Sequence, residues 1–444
     1  MNYNDALEYI QNIGKYGIVP GLDSIKELCR RLGNPQDSLK FVHIAGTNGK
    51  GSTLAYISTI LRCAGYKVGR YISPVIFEYR ERIQVGKRFI TKAALCEGME
   101  LIRNICDGMV QDGFHHPTPF EVETALAFWY FQKENCDIVV METGMGGLMD
   151  ATNLITTTQV AVLASISMDH MQYLGDTLAK IAEQKAGIIK NGCRVVSMWQ
   201  KPEAMQVVEK VCREKSCVLT VAETGSANLG SAGSDNRKRC KIKNVRYGIE
   251  KQSFDYGDLK KLEITMAGKF QIDNAALAME AISALGELAF PVSEKKLRQG
   301  LKETQWLGRF SLLAKKPFFV VDGAHNEDAA QKLAESIEFY FTNKRIIYIM
   351  GILKDKEYNK VIALTEKYAN HIITVTSPDN PRALHAYELA REIAKVHPNV
   401  TAVDSLEEAV EMSYLLAGKD DVIIAFGSLS YLGKLINIVE NRKK

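Results

Sequence analysis

Short β-branched apolar runs that end at small, polar or charged residues, each followed by helical spacing, recur along most of this chain. Phe41-Val42-His43-Ile44-Ala45 leads into a glycine-rich turn. Beyond the turn, Leu54, Ile57, Ser58 and Leu61 fall at the spacing of one helix face. The same reading predicts strands at Ile138 to Met141, ending at Glu142, and at Val160 to Ile166, ending near Asp169-His170. Later strands are predicted at Phe318 to Val321, Ile346 to Met350, Ile372 to Val375 and Val422 to Phe426. Strands of this kind alternating with helices predict an α/β fold with a mostly parallel sheet. A fresh set of strands begins after the helical segment Glu294 to Lys302, which puts a domain boundary near Gln305-Trp306-Leu307-Gly308-Arg309 and gives domains 1–304 and 305–444. Thr224 to Lys238, rich in Gly, Ser, Asn and Asp, reads as an exposed loop or hairpin tip. No solenoid-type repeat is found.

Length agrees with more than one domain, since 444 residues exceed what one core organises at roughly 150 residues per domain. With 46% hydrophobic and 24% charged residues the chain is ordinary for a globular protein, which excludes disorder as its main state. A net charge of +4 suits anionic small substrates and lacks the clustered basic footprint of a nucleic-acid binder. The nine cysteines are scattered and never spaced Cys-x-x-Cys, which argues against a disulfide framework or zinc site. Met1-Asn2-Tyr3-Asn4-Asp5 has no basic leader, and no run of about 18 apolar residues occurs, so a cytoplasmic protein with no membrane partner is expected.

Candidate chemistry starts at Gly46-Thr47-Asn48-Gly49-Lys50-Gly51-Ser52. A strand that passes through glycines into a helix aims backbone N–H groups and the positive helix end at one spot, which suits phosphate oxygens, and Lys50 adds a charge there. Strict Walker A spacing is not met, because Ile44 stands at the first glycine position and Gly51 intervenes before Ser52. On this segment alone a ligand-free glycine turn stays open as the alternative. Glu142, at the end of a buried strand, is a candidate for the carboxylate that nucleoside-triphosphate chemistry uses to hold magnesium; an ordinary strand-end acid is the alternative. Leu178, Ile181, Ala182 and Lys185 share one helix face, which predicts a partly desolvated lysine whose neutral amine can take up carbon dioxide; a snorkelling lysine is the alternative.

The segment His43 to Ser52 resembles the ATP loop of folylpolyglutamate and dihydrofolate synthases, members of the Mur ligase superfamily. Similar segments follow in order: Tyr71-Ile72-Ser73-Pro74 with Glu81-Arg82-Ile83, Pro119-Phe120-Glu121, Glu142 to Gly147, Asp150-Ala151-Thr152-Asn153, Asp169-His170 and Gln184 to Ile188. Asn274-Ala275-Ala276, Gly308-Arg309, Asp322 to Asn326 and Gly427-Ser428-Leu429 continue the likeness.

The resemblance implies an N-terminal P-loop ATPase domain, a smaller Rossmann-like C-terminal domain and an active site between them. It implies ATP-driven joining of L-glutamate to a folate or to dihydropteroate through an acyl phosphate. ATP would be held by Thr47, Asn48, Gly49, Lys50, Gly51 and Ser52, with Asn274, Arg309 and Asp322 on its adenine, phosphate and ribose sides. Magnesium, as two ions, would be held by Ser73, Glu142 and His170, and Lys185 would carry a carbamate; Lys50, Lys185 and His170 are the implied catalytic set. Phe120 and Glu121 would bind the pterin, and His325 and Ser428 the incoming glutamate. A monomer acting on small molecules is expected. Two departures fall on the substrate side: Val75 and Leu148 stand where the family commonly has His and Arg. They leave open whether dihydropteroate, reduced folates or both are used. Cell-wall Mur ligases share the mechanism but are disfavoured by Phe120-Glu121; a GTPase is disfavoured by the absence of Asn-Lys-x-Asp. A non-catalytic binding relative is disfavoured by intact Lys50, Glu142, His170 and Lys185.

Overall fold

The apolar runs form strands in two separate large sheets of the computed structural model, which describes residues 1–16, 21–223 and 241–442. The predicted loop at Thr224 to Lys238 lies outside the described residues. The chain divides into two compact units. One comprises Met1–Ser73, Glu78–Ile242 and Asp273–Glu303; the other comprises Pro74–Phe77, Lys243–Ile272 and Thr304–Lys444.

The first unit is built on eight strands: β1 (Phe41–Ala45), β2 (Val68–Tyr71), β3 (Ile83–Val85), β4 (Arg88–Phe89), β5 (Ile138–Glu142), β6 (Thr158–Leu163), β7 (Arg194–Met198) and β8 (Val218–Ala222). Their order is β4-β3-β2-β5-β1-β6-β7-β8. The six strands from β2 to β8 pair in parallel, and β3 and β4 add an antiparallel edge. Every residue of β1 and β5 is buried, which is why their sequences read as continuous apolar runs rather than alternations. The helix Lys50–Ala64 follows β1 and is buried along nearly its whole length. Gly300, on the helix Glu294–Glu303, lets that helix approach it closely, since a Cβ there would sit 2.5 Å from Ile60 Cα.

A three-stranded sheet of β9 (Ile242–Arg246), β10 (Gln252–Tyr256) and β11 (Leu259–Ile264) precedes the second large sheet. The latter contains β12 (Ser311–Lys315), β13 (Phe318–Val321), β14 (Ile346–Met350), β15 (His371–Thr374), β16 (Val400–Ala402) and β17 (Val422–Phe426) in the order β12-β13-β17-β14-β15-β16. All pairs are parallel except β12 with β13. β13, β17 and β14 are therefore neighbours, and their carboxyl ends gather Asp322, Gly427-Ser428 and Gly351, the edge at which open α/β sheets bind ligands. The eight described cysteines are all free thiols. Among the described residues no helix is long and apolar enough to cross a membrane.

Candidate active site

The turn after β1 is shaped by conformations that only glycine tolerates well. Gly46 has φ 155° and Gly49 φ 91°, and a Cβ on Gly46 would lie 2.8 Å from the Ala164 Cβ. Thr47 and Asn48 spend their amides within the fold: both N–H groups donate to Ser165 O, and the Thr47 hydroxyl donates to Ser167 O. They hold the loop against the end of β6. The helix Lys50–Ala64 starts with no side-chain cap, so its first-turn amides, at Lys50, Gly51 and Ser52, make up the positive helix end that suits an anion. Lys50 Nζ folds over the loop, donating to Gly46 O at 3.0 Å and Thr47 O at 3.3 Å. Asn274 stands over the same turn, its Oδ1 2.7 Å from where a Gly49 Cβ would be.

Lys185 reaches this loop from the helix Leu178–Ala186, whose buried side carries Ile181, Ala182 and Lys185. Its Nζ also donates to Gly46 O, at 3.0 Å, and the side chain is 4% exposed. Burial, and then repulsion from the Lys50 ammonium, bring its pKa down to about 7, against opposing pulls from Asp169 and Asp150. Among the six loop residues expected from sequence, Lys50 meets Lys185 at Gly46 O, Gly51 and Ser52 open the helix, and Thr47 and Asn48 fix the shape of the turn.

Glu142 closes β5 and is almost fully buried; its Oε1 accepts the backbone N–H of Ser73 at 2.7 Å. That bond brings together a carboxylate and a hydroxyl residue, hard oxygen donors of the kind magnesium takes. His170 adopts a left-handed conformation at φ 51° before the short helix Met171–Leu174, with Nε2 3.9 Å from Asp169 Oδ1. Among the described residues no group of three His, Cys, Asp or Glu side chains is arranged to hold a metal ion.

On the other side of Glu142, residues 143–153 form a tight loop. Gly144 lies against the Phe120 ring, where a Cβ would come within 2.6 Å of Cζ, and the ring centroid is 6.0 Å from that of Tyr71. Glu121 is buried and works as a helix cap: Oε2 accepts from Thr118 N at 2.8 Å and from its hydroxyl at 2.9 Å. Burial nevertheless raises its pKa. Sequence reasoning placed Asp150 in a resembling segment without a role; it organises this loop by accepting from Met145 N, Thr152 N and the Thr152 hydroxyl. The signal available was the Asp-x-Thr spacing, in which a carboxylate closes a turn on the residue two positions on.

In the second unit, Asp322 at the end of β13 accepts from Phe310 N at 2.7 Å and Ala324 N at 2.8 Å. Burial pushes its pKa up to about 6, with Arg309 acting in the opposite direction. The Arg309 Nη1 lies 2.8 Å from the position of a Gly323 Cβ, so Arg309 and Asp322 share one corner. Asp322 also pins Phe310, which is held at φ 48°. His325 Nδ1 pairs with Gly323 O at 2.7 Å. Since a carbonyl only accepts, Nδ1 carries the proton. Ser428 caps the helix Leu429–Asn441 and shares a 2.7 Å hydroxyl contact with Ser430.

The Mur ligase middle domain matches residues 44–282, and the Mur ligase glutamate ligase domain matches residues 308–429. The dihydrofolate synthase/folylpolyglutamate synthase of Bacillus subtilis is 35% identical over 437 residues, covering 98% of each chain. Among solved structures, the folylpolyglutamate synthase of Thermotoga maritima superposes with TM-score 0.83 at 31% identity, covering 99% of this chain and 97% of that one. The Mycobacterium tuberculosis folylpolyglutamate synthase complexed with ADP and AMPPCP gives TM-score 0.87 at 25% identity, covering 99% of both. With end-to-end likeness in sequence and in fold, the chain belongs to the folylpolyglutamate and dihydrofolate synthases of the Mur ligase superfamily.

Proposed function

We propose that the protein uses ATP to join L-glutamate to a folate, lengthening tetrahydrofolate polyglutamates and also converting dihydropteroate. The observation that carries this reading is the convergence of Lys50 and Lys185 on the glycine loop in a chain that matches such synthases from end to end. A carboxylate does not react with an amine at neutral pH, because its oxide is a poor leaving group. Transfer of the ATP γ-phosphoryl group gives an acyl phosphate and ADP; the glutamate amine attacks the carbonyl carbon, phosphate leaves and the amine gives up a proton. Positioning and neutralisation of phosphate charge are then the main tasks of the protein.

The first-turn amides of Lys50, Gly51 and Ser52, with the Lys50 ammonium, face the phosphates in this reading, while Thr47, Asn48 and Gly49 shape their seat. Asn274 serves the adenine side, Arg309 the phosphates and Asp322 the ribose. Magnesium, in two ions, would be held by Ser73, Glu142 and His170, and when bound it screens the charge of the transferring phosphoryl group. The Ser73–Glu142 contact supports the first two of these ligands, and the chemistry of imidazole admits the third. Lys185 carries a carbamate, a reading supported by its burial and depressed pKa. Phe120 stacks the pterin, and Glu121, whose Oε2 caps Thr118, accepts from it. His325 and Ser428 take the incoming glutamate. Residues 1–304 act as the ATP-binding domain and 305–444 as the glutamate ligase domain, a division supported by the two matched Mur ligase segments. The protein works as a monomer in the cytoplasm on small molecules, without nucleic acid or membrane.

One incubation tests the reading. Purified protein is supplied with magnesium-ATP, labelled glutamate and either dihydropteroate or tetrahydrofolate. Acceptor-dependent ADP and a labelled amide are expected, and their absence with both acceptors overturns it.

A further inference from the structure

β1 carries one polar side chain, His43, among Phe, Val, Ile and Ala, and it is fully buried. Its Nε2 lies 2.8 Å from Thr152 Oγ1, and the Thr152 hydroxyl donates to Asp150 Oδ1 at 2.6 Å. A hydroxyl has a single proton. Because that of Thr152 goes to Asp150, Thr152 must accept from His43, which fixes the imidazole as its neutral Nε2–H tautomer. Burial, with the Lys190 ammonium nearby, holds the pKa of this ring down to about 3, so the direction of the chain does not change at working pH.

The other ring nitrogen, Nδ1, is buried with no hydrogen-bond partner. Leaving a buried acceptor unsatisfied is destabilising, a cost that an apolar residue at this strand position would avoid. What the imidazole adds in return is the bond to Thr152. Asp150, at the end of the chain, uses its two oxygens to close the loop onto Met145 N and Thr152 N. That loop has two further faces. Gly144 rests on the Phe120 ring, and Gly147 rests on the helix of Lys185, where a Cβ would lie 2.7 Å from Gln184 O and 2.9 Å from Lys185 O; Leu148 N donates to Gln184 O at 2.7 Å.

We propose that His43 is a positioning residue which, through Thr152 and Asp150, sets the 144–150 loop against Phe120 and so governs how tightly the ring system of the acceptor substrate is held. This rests on the folate ligase reading for the identity of that acceptor. His43 itself touches no reactant. Its influence travels through one directed hydrogen-bond chain, so any variant that keeps a donor at the Nε2 position and a hydroxyl at position 152 preserves it.

The test uses the full chain and four single variants. Gln at position 43 keeps an N–H near the position of Nε2, and Leu removes it; Ser at position 152 keeps the hydroxyl, and Val removes it. His43→Leu and Thr152→Val are expected to raise the acceptor KM about tenfold, the kinetic equivalent of one lost hydrogen bond, with the ATP KM unchanged within about twofold. His43→Gln and Thr152→Ser should stay within about threefold of wild type, and the Leu/Val double variant should be no worse than the poorer single one, because both cut the same chain. Should His43→Leu fail to fold, the Thr152 pair carries the comparison. An acceptor KM unmoved in Thr152→Val, or a loss shared equally by both KM values and kcat, overturns the proposal. Calorimetric binding of dihydropteroate reads the same series without turnover. A wild type that binds dihydropteroate but makes no amide therefore sinks the ligase reading, while the binding series still decides the role of His43.

Discussion

Lys50 and Lys185 donate to one acceptor, the carbonyl oxygen of Gly46, each from 3.0 Å. Burial first, and then repulsion between the two ammonium groups, make Lys185 give up its proton more readily. Carbamate formation at Lys185 would reverse the sign of one partner and turn this repulsion into attraction. Incubation with 13C-labelled bicarbonate is expected to give a carbamate resonance whose intensity rises with pH through about 7, as the amine becomes neutral. Lys50→Met should weaken that resonance, since it removes both the repulsion that frees the amine and the charge that holds the carbamate. A lysine found unmodified at every pH would sink this assignment.

Lys50 itself lies at the start of the helix Lys50–Ala64, whose anchoring comes from the apolar residues along its length rather than from the ammonium. Lys50→Ala is expected to abolish turnover and leave the circular dichroism spectrum and cooperative melt in place. Near-wild-type turnover in that variant contradicts a role on the phosphates.

Much of the framework could be read from the order of apolar residues. β1, β13, β14 and β17 begin and end where the sequence suggested, because a parallel strand buried on both faces leaves an uninterrupted apolar run. The run at Val160 to Ile166 was harder to bound: β6 starts earlier, at Thr158, and stops at Leu163, after which Ser165 O is taken by the glycine loop. Helical spacing likewise put Lys185 on the inward face. Hidden from sequence was anything set by contacts between distant residues. No local pattern tells that the Thr47 and Asn48 amides turn to Ser165, or that Pro74–Phe77 and Lys243–Ile272 belong with the second compact unit.

Asp322 gives a pH signature. Its carboxyl is raised to about 6 in the fold from an ordinary 3.8, so the native state keeps a proton that the unfolded chain has lost. The sign follows: the stabilisation this proton confers is complete below about 3.8 and disappears as pH rises through about 6. The Tm of wild type relative to Asp322→Asn should therefore decline across that interval. If the ionised form accepts a ribose hydroxyl, the ATP KM should fall over the same interval in wild type and stay flat in the variant. Parallel pH profiles for the two proteins would remove Asp322 from the nucleotide site.

Gly49 separates backbone strain from site damage. At φ 91° any L-residue is strained, and a Cβ there would also press within 2.7 Å of Asn274 Oδ1. Gly113 has nearly the same φ, 87°, but nothing within 4 Å of a Cβ. Alanine at either position should lower stability by about 1–3 kcal/mol through strain alone. Only Gly49→Ala should also displace Asn274 and disturb the start of the helix Lys50–Ala64, raising the ATP KM about tenfold or more while the acceptor KM holds. Steady-state kinetics beside urea melts of both variants decide the matter. If the Gly113 variant loses ATP affinity to the same extent, the effect belongs to general destabilisation, and the pairing of Gly49 with Asn274 has no part in holding the nucleotide.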